Sequence, residues 1–115
     1  MEKVIETEHI SKEEKTLLGR CRAEIEKIDP SAEVILYGSR ARGEAEPDSD
    51  YDLLVLTDGQ VSLKSEDVLR RQLFPIEIET GSVITVFLVK RKDWNSALYA
   101  SMPFHKNVEN DGIVL

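Results

Sequence analysis

The sequence predicts an α/β (α+β) domain in which helices flank a mixed β-sheet. Two short apolar runs, at residues 34–37 and 53–56, have the length and composition of buried strands. An amphipathic segment of helical period precedes them, and further helical and strand-like segments follow. Because strands and helices alternate along a short chain, we expect them to pack in layers around one hydrophobic core.

Length and composition indicate a single globular domain covering residues 1–115. The chain has 115 residues, of which 41% are hydrophobic and 32% are charged, and these values are typical of folded proteins. The formal net charge of −7 argues against a protein that binds nucleic acid through a broad basic face, because phosphates are neutralised by clustered Lys and Arg.

Cysteine usage and hydropathy favour the cytoplasm. Cys21 is the only cysteine, so an intrachain disulfide is impossible and a reducing compartment is favoured. No apolar run approaches the ~20 residues that a membrane-spanning helix needs, and residues 1–3 do not open a signal peptide. We therefore expect a cytoplasmic protein without a membrane segment.

An amphipathic helix is predicted after a loosely held arm or short strand at residues 1–10. Ser11 and Glu14 have the spacing of a capping box, in which each side chain satisfies a free backbone N–H group of the other residue. Apolar residues recur at helical spacing over residues 17–28, and an Asp-Pro pair ends the repeat. Cys21 falls on the apolar face, where we expect a buried structural thiol.

The segment after the first predicted strand has the features of an anion site. Gly38 and Ser39 form a turn at which the backbone can approach a ligand closely, since glycine has no Cβ. If the next residues begin a helical turn, its free N–H groups and positive dipole end suit a phosphate. Arg40 and Arg42 either contact that phosphate or pair with acidic residues of the loop at 44–48.

Asp50 and Asp52 are candidate metal ligands. They stand two positions apart at the start of the second predicted strand, and the two-residue period of a strand points both carboxylates to the same side. Two neighbouring carboxylates repel each other unless a cation lies between them. A few hard oxygen ligands favour Mg²⁺ or Mn²⁺, and a phosphate site beside them is the arrangement for metal-assisted phosphoryl or nucleotidyl transfer.

These residues together resemble the signature of a known family. Residues 38–43 read Gly-Ser-Arg-Ala-Arg-Gly, and residues 49–55 read Ser-Asp-Tyr-Asp-Leu-Leu-Val. The pattern is similar to the GSxARG…SDxDLxV signature of the DNA polymerase β-like nucleotidyltransferase superfamily, and the short chain resembles its minimal nucleotidyltransferase (MNT) family. The resemblance implies a nucleotidyltransferase-like fold, a nucleoside triphosphate substrate with ATP as the first choice, and Mg²⁺ (or Mn²⁺) as the cofactor.

The resemblance also implies roles for the matched residues. The nucleotide-binding residues would be Gly38, Ser39, Arg40 and Arg42. The metal ligands would include Asp50 and Asp52. Two ions would serve the reaction, one by lowering the pKa of the acceptor hydroxyl and the other by stabilising the leaving pyrophosphate.

Three functions are compatible with the sequence. The first is nucleotidyl transfer to a hydroxyl of a partner, because many similar short chains neutralise a helical HEPN-type toxin by adenylylation or by direct binding. The second is a catalytically silent binding module with the same fold. The third, a small-molecule nucleotidyltransferase of the antibiotic-modifying kind, is disfavoured because such enzymes usually carry an extra helical domain. We expect the acceptor to come from another protein or from the mate in a homodimer.

A helix followed by a β-hairpin is predicted in the second half of the chain. The helix has a cap at Ser65, an inward face of Val68, Leu69 and Leu73, and a break at Pro75. Residues 76–79 alternate between apolar and acidic side chains, and residues 83–89 are almost wholly apolar. Both segments are predicted as strands, joined by a Thr-Gly-Ser turn into a hairpin that completes the sheet.

Active members of the superfamily usually have a third metal-site carboxylate on a strand next to the aspartate pair. The apolar strand at 83–89 offers only Thr85 at its centre, and this departure from the family pattern favours a silent module. Glu77 and Glu79 lie two positions apart and therefore on one face of the alternating strand. We predict Glu77 as the third catalytic and metal-binding carboxylate and expect Glu79 to be exposed, although an ordinary half-exposed strand has the same pattern.

The C-terminal segments are predicted to be structural. A helix is predicted over residues 94–102, with Trp94 packed in the core or against a partner, and with stacking on a base as the less favoured alternative. His105 cannot form a zinc site alone, so we expect it to be structural or exposed. Gly112 is expected to end a short terminal helix, after which residues 113–115 dock on the sheet or on a second subunit.

Overall fold

The computed structural model describes residues 1–115 as one β-sheet with helices on both faces. The strands are β1 (Glu2–Lys3), β2 (Glu33–Tyr37), β3 (Tyr51–Thr57), β4 (Ile84–Lys90) and β5 (Ile113–Val114). The helices are α1 (Lys12–Ile28), α2 (Ser39–Arg42), α3 (Leu63–Thr80), α4 (Arg91–Trp94), α5 (Ala97–Ala100) and α6 (Pro103–Asp111), and a 3-10 turn spans Val4–Glu6. The predicted mixed sheet flanked by helices is therefore confirmed.

The sheet has the strand order β1-β5-β2-β3-β4 and contains both strand directions. β2 runs antiparallel to β3 with Tyr37 opposite Asp52, and β4 runs parallel to β3 with Thr85 opposite Asp52. β5 pairs antiparallel with β2, so the end of the chain docks on the sheet, which is one of the two positions predicted for it. None of the helices combines the length and the apolar character needed to cross a membrane.

Two hydrophobic cores lie on opposite faces of the sheet. Side chains of a strand alternate between the faces, so β3 sends Leu53 to one core and Leu54 to the other. The larger core is covered by α1 and α3, through Leu17, Leu18, Cys21, Ile25, Leu69, Leu73 and Ile76. The smaller core contains Val108 of α6 and Trp94 of α4. Trp94 is thus a core residue, which is one of the favoured environments predicted for it.

α1 begins at the predicted capping box. The Ser11 hydroxyl accepts a hydrogen bond from the Glu14 N–H group at 3.1 Å, and the Glu14 carboxylate accepts one from the Ser11 N–H group at 3.0 Å. Cys21 is fully buried on the inner face, and burial raises the pKa of its thiol to about 12. A thiol with that pKa stays protonated and unreactive near neutral pH, which confirms Cys21 as a structural residue.

The strand predicted at residues 76–79 is wrong, and so is the break at Pro75. α3 runs through Pro75 and ends only before Gly81, whose left-handed conformation (φ 74°) closes the helix. Proline in a helix interior costs about 3 kcal/mol, so other interactions must outweigh it. Leu73 and Ile76, on either side of the proline, are both buried in the larger core at helical spacing. Their packing keeps the segment helical.

The start of α3 also differs from the prediction. Ser62, and not Ser65, is the N-cap, and the two serines form a capping box in which each hydroxyl accepts a hydrogen bond from the backbone N–H group of the other. Leu69 faces inward as predicted, whereas Val68 is 39% exposed. The helix therefore begins three residues earlier than the predicted cap allows.

Without a hairpin, β4 is an edge strand that pairs only with β3. Two carboxylates of α3 reach its outer edge. Glu77 accepts a hydrogen bond from the Ile84 N–H group at 2.9 Å, and Glu66 accepts one from the Leu88 N–H group at 3.3 Å. Because unpaired N–H groups on a sheet edge invite pairing with other chains, these glutamates protect the edge and tie it to α3.

The helix predicted over residues 94–102 is interrupted. α4 ends at Trp94, and Ser96 caps the start of α5. α6 ends immediately before Gly112, as predicted. The His105 ring of α6 lies 4.4 Å from the Trp94 ring, centroid to centroid, so this histidine has a structural role.

Asp29 joins the end of α1 to the end of β3. Its carboxylate accepts hydrogen bonds from the Thr57 hydroxyl and from the hydroxyl and N–H groups of Ser31, the last two at 2.6 and 3.0 Å. Burial raises the pKa of Asp29, but these hydrogen bonds and the charge of Arg91 outweigh burial and hold the pKa below its usual value. The contacts therefore favour the ionised carboxylate.

We expect Asp29→Ala to lower the free energy of unfolding at neutral pH by about 1–3 kcal/mol, because the buried Thr57 hydroxyl loses its acceptor. Since the folded pKa is lowered, the contribution of Asp29 is complete above the unfolded pKa, near 3.8, and is lost as the pH falls through the folded pKa. Urea unfolding from neutral pH down to about pH 3 measures this difference. Glu8→Ala removes an exposed carboxylate and is the control. A difference that does not shrink in acid would contradict the role of Asp29.

Candidate functional site

Three polar side chains lie in a row across neighbouring strands on one face of the sheet. Tyr37, Asp52 and Thr85 occupy matching register positions on β2, β3 and β4. The Thr85 hydroxyl donates a hydrogen bond of 2.7 Å to Oδ1 of Asp52. Burial raises the pKa of the Tyr37 hydroxyl, and the Asp52 carboxylate raises it further. Asp52 is thus held at the centre of the row.

Gly38 makes room for the Asp52 carboxylate. It follows β2 and is the N-cap of α2, with φ 78° and ψ −160°, a combination that is open almost only to glycine. A Cβ atom on Gly38 would collide with Oδ2 of Asp52. Ser39 then opens α2, and the first N–H groups of a helix have no acceptor within the helix. The structure therefore brings Gly38, Ser39 and Asp52 together.

The loop before Asp50 is fixed by Arg40. The guanidinium donates hydrogen bonds to the Ser49 carbonyl oxygen, through Nε at 3.0 Å and Nη2 at 2.8 Å, and to the Pro47 carbonyl oxygen, through Nη2 at 3.1 Å. Asp50 follows directly, with an exposed side chain next to the first residue of β3. Arg40 thereby sets where the chain enters β3.

Arg40 is also held by α1 and by the first residue of β3. It forms a salt bridge with Glu14 at 3.1 Å, and its guanidinium carbon lies 4.0 Å from the centroid of the Tyr51 ring. Its side chain is only 10% exposed. Four hydrogen bonds to protein acceptors give Arg40 a structural role, and its predicted contact with a nucleotide stays a prediction. The arginine connects α1, the loop and β3.

Arg42 is the more accessible of the two arginines. Its Nε pairs with Glu44 at 3.2 Å, and the two side chains are 41% and 66% exposed. An exposed pair of this kind contributes at most about 1 kcal/mol, so a phosphate can compete with Glu44 for the guanidinium. Contact between Arg42 and a phosphate stays a prediction.

Glu77 does not lie beside the aspartate pair. We predicted it on a strand next to Asp52, but it belongs to α3, which packs on the face of the sheet opposite to the Asp52 side chain. Its carboxylate accepts a hydrogen bond from the Ile84 N–H group instead. The assignment of Glu77 as a third metal ligand is therefore wrong. Glu79 is exposed, as expected, and pairs with Arg20.

The residues around Asp52 offer no further carboxylate for a second divalent ion. No group of three or more His, Cys, Asp or Glu side chains is arranged to hold a metal ion. The residue opposite Asp52 on β4 is Thr85, a neutral hydroxyl at a place where a third carboxylate could stand. Mg²⁺ is commonly held by one or two carboxylates together with phosphate oxygens and water. Asp50 and Asp52 are the two carboxylates that would supply such a site, and metal binding by them stays a prediction.

A small cavity of about 150 Å³ opens beside the Gly38 turn. Its lining includes Tyr37, Gly38, Arg42, Phe104, Asn107 and Asp111. The sequence interpretation missed the contribution of α6, which lies far along the chain from the motif and also lines the cavity with Val108. The spacing of these α6 residues is the only signal in the sequence, since residues at i, i+3, i+4 and i+7 share one face of a helix.

Comparison with known protein families gives a match over most of the chain. The profile of the nucleotidyltransferase domain family matches residues 18–111. The matched range includes the Gly38 turn, both aspartates and α6. No curated protein matches the chain.

We expect Gly38→Ala to destabilise the protein by more than Gly81→Ala does. Both glycines have positive φ, but space is open around Gly81, whereas a Cβ at Gly38 meets the Asp52 carboxylate. Gly81→Ala should cost about 1–2 kcal/mol of left-handed strain alone.

A double-mutant cycle with Asp52→Ala separates the collision from backbone strain. In the Gly38→Ala background, removing the Asp52 carboxylate should recover about 0.5–3 kcal/mol of the lost free energy of unfolding. In the Gly81→Ala background it should recover none. Denaturant unfolding of the single and double variants measures both effects. If the losses of stability in Gly38→Ala and Asp52→Ala simply add in the double variant, the two residues do not restrict each other.

We expect Glu77→Gln to leave Mn²⁺ affinity unchanged, measured by calorimetry with ATP present, because this side chain lies on the opposite face of the sheet from Asp52. Asp52→Asn, which removes a carboxylate from the site itself, should weaken Mn²⁺ binding about tenfold or more. A tenfold loss of affinity in Glu77→Gln would restore Glu77 to the metal site and contradict this geometry.

Proposed function

This chain belongs to the nucleotidyltransferase domain family, and from that premise we propose that it binds a nucleoside triphosphate with Mg²⁺ and transfers the nucleotidyl group to a hydroxyl. ATP is the proposed substrate, so the transferred group is AMP. The observation that carries the proposal is the close approach of Gly38 and the Asp52 carboxylate. It supports the proposal because Asp52, the proposed metal ligand, lies directly beside the turn that would receive the phosphates.

In the proposed reaction, the acceptor oxygen forms a bond to the α-phosphorus while the bond to pyrophosphate breaks, and the hydroxyl proton passes to a base. Ser39, at the start of α2, would hold the β- and γ-phosphates through backbone N–H groups. Asp50 and Asp52 would fix the position of the triphosphate through a divalent ion. That ion would neutralise charge on the phosphates and on the leaving pyrophosphate.

A second candidate is a module that binds the nucleotide without transferring it. The observation that favours it is Thr85, which stands opposite Asp52 and donates a hydrogen bond to it. A neutral hydroxyl neither completes the ligand set of a second ion nor accepts the proton of the acceptor at neutral pH. In this case the bound nucleotide would control contact with a partner.

The acceptor is proposed to be another protein. The family resemblance of the motif points to a helical HEPN-type toxin, with a second copy of this chain as the other choice. Incubation with α-labelled ATP and Mg²⁺, with and without the product of a neighbouring reading frame, tests both. Label on that product would identify the acceptor, and label on the chain itself would identify a homodimer mate.

We expect Thr85→Asp to raise the rate of nucleotidyl transfer about tenfold or more, because it adds a carboxylate opposite Asp52 that can hold a metal ion or accept a proton. Transfer from α-labelled ATP to the identified acceptor measures the rate. Thr85→Val, which removes the hydrogen bond to Asp52 without adding charge, is the matched control.

The outcomes separate the two candidates. A parent that transfers AMP, and loses transfer in Asp52→Asn, supports the enzyme. A parent that binds Mg-ATP without turnover, and gains turnover in Thr85→Asp, supports the binding module. Failure of the parent to bind Mg-ATP at all would reject both.

A further inference from the structure

We propose that the cavity beside Tyr37 holds the base of the bound nucleotide, and that Asp111 accepts a hydrogen bond from an amino group of that base. This inference rests on the proposed function and concerns the base of the nucleotide, which the proposed phosphate-binding residues do not contact. The recognised chemistry is an amino-bearing base, such as adenine in ATP or guanine in GTP.

The size and position of the cavity suit a base. Its volume of about 150 Å³ is below the roughly 300–1,000 Å³ of pockets that enclose whole drug-sized ligands, so it would enclose only a part of a nucleotide, with ribose and phosphates outside. Tyr37 and Gly38 line the cavity and also adjoin Asp52. A nucleotide whose phosphates reach the Gly38 turn therefore has its base within reach of the cavity.

Aromatic side chains form one wall of the cavity. The ring of Phe104 meets that of Tyr37 edge to face, with 5.2 Å between centroids and 87° between planes. Phe87 and Trp94 contact the same Phe104 ring at 5.7 and 5.9 Å. Because three other rings already hold Phe104 in place, its side chain loses little conformational entropy when a base packs against it. Because every base has an aromatic face, this wall supplies affinity without selectivity.

Asp111 supplies the selectivity. It lies four residues after Asn107 on α6, and side chains at this spacing share one face of a helix. No salt bridge of the protein includes Asp111. Arg42, which lines the same cavity, pairs with Glu44 instead. A carboxylate only accepts hydrogen bonds, so it favours a base that presents N–H groups.

The place of Asp111 in its helix also argues for a ligand-binding role. It is the last residue of α6, where a negative charge faces the negative end of the helix dipole, and no basic residue of the last turn offsets it. The carboxylate therefore does not stabilise the helix. For the same reason we expect Asp111→Ala to fold.

Binding of two nucleotide pairs in the presence of Mn²⁺ tests the proposal. One pair is ATP and purine riboside triphosphate, which lacks the 6-amino group, and the other is GTP and ITP, which lacks the 2-amino group. Calorimetry on the parent, Asp111→Ala and Glu109→Ala gives the affinities. Glu109 is a matched control, since it is a 49% exposed carboxylate of the same helix and lies about 200° around the axis from Asp111.

In at least one pair, the amino-bearing nucleotide should bind the parent about tenfold more tightly or better. Asp111→Ala should bring that ratio close to one, and Glu109→Ala should preserve it. The pair that responds identifies the base.

Two results would overturn the base site and leave the proposed function standing. The first is equal affinity for the two nucleotides within both pairs, and the second is a preference for the amino-bearing nucleotide that survives Asp111→Ala. In each case, the loss of nucleotide binding in Asp52→Asn would show that the proposed function still holds. Absence of nucleotide binding by the parent would overturn the base site together with the proposed function.

Discussion

The contact between Gly38 and the Asp52 carboxylate is the constraint on which the rest of the site depends. It requires one register of β2 and β3, with Tyr37 opposite Asp52, since a slip of one residue would turn Asp52 to the other face of the sheet. The two cores enforce this register, because Leu53 and Leu54 must enter opposite cores. The position of one carboxylate is thereby tied to the burial of both faces of β3.

Arg40 connects the two halves of the motif, which are separated by a polar loop. Its hydrogen bonds to the Pro47 and Ser49 carbonyl oxygens fix the end of that loop, and its salt bridge with Glu14 anchors the loop to α1. Glu14 is itself half of the capping box that starts α1, and the pKa of its carboxyl is lowered: burial raises it, but the hydrogen bonds from Ser11 and Arg40 outweigh burial. Arg40, which was predicted to contact the nucleotide from its place in the motif, thus also orders the loop that leads to Asp50.

The sequence predicts the fold wherever local pattern and tertiary packing agree. The capping box at Ser11 and the strands around the motif are examples, since cap chemistry and apolar spacing act over a few residues. The prediction failed at residues 76–79 because alternating Ile and Glu looks the same on a strand and at the end of a half-buried helix. Pro75 favoured a break that packing against the larger core prevents. The side of the cavity formed by α6 could not be predicted, because no local pattern indicates which part of the sheet a distant helix covers.

Thr85 determines the environment of the Asp52 carboxylate. A third carboxylate opposite Asp52 would add repulsion to the metal-free protein, whereas the Thr85 hydroxyl donates a hydrogen bond to Oδ1 of Asp52. Gly38 adjoins Oδ2 of the same carboxylate, so Asp52 is positioned from both sides. The Asp52 carboxylate is therefore preorganised before any ligand binds, and the polar row contains no second carboxylate. If Asp52 binds a metal ion as proposed, binding would use a group already in place, whereas the proposed transfer would need a base or a further ligand from outside this row.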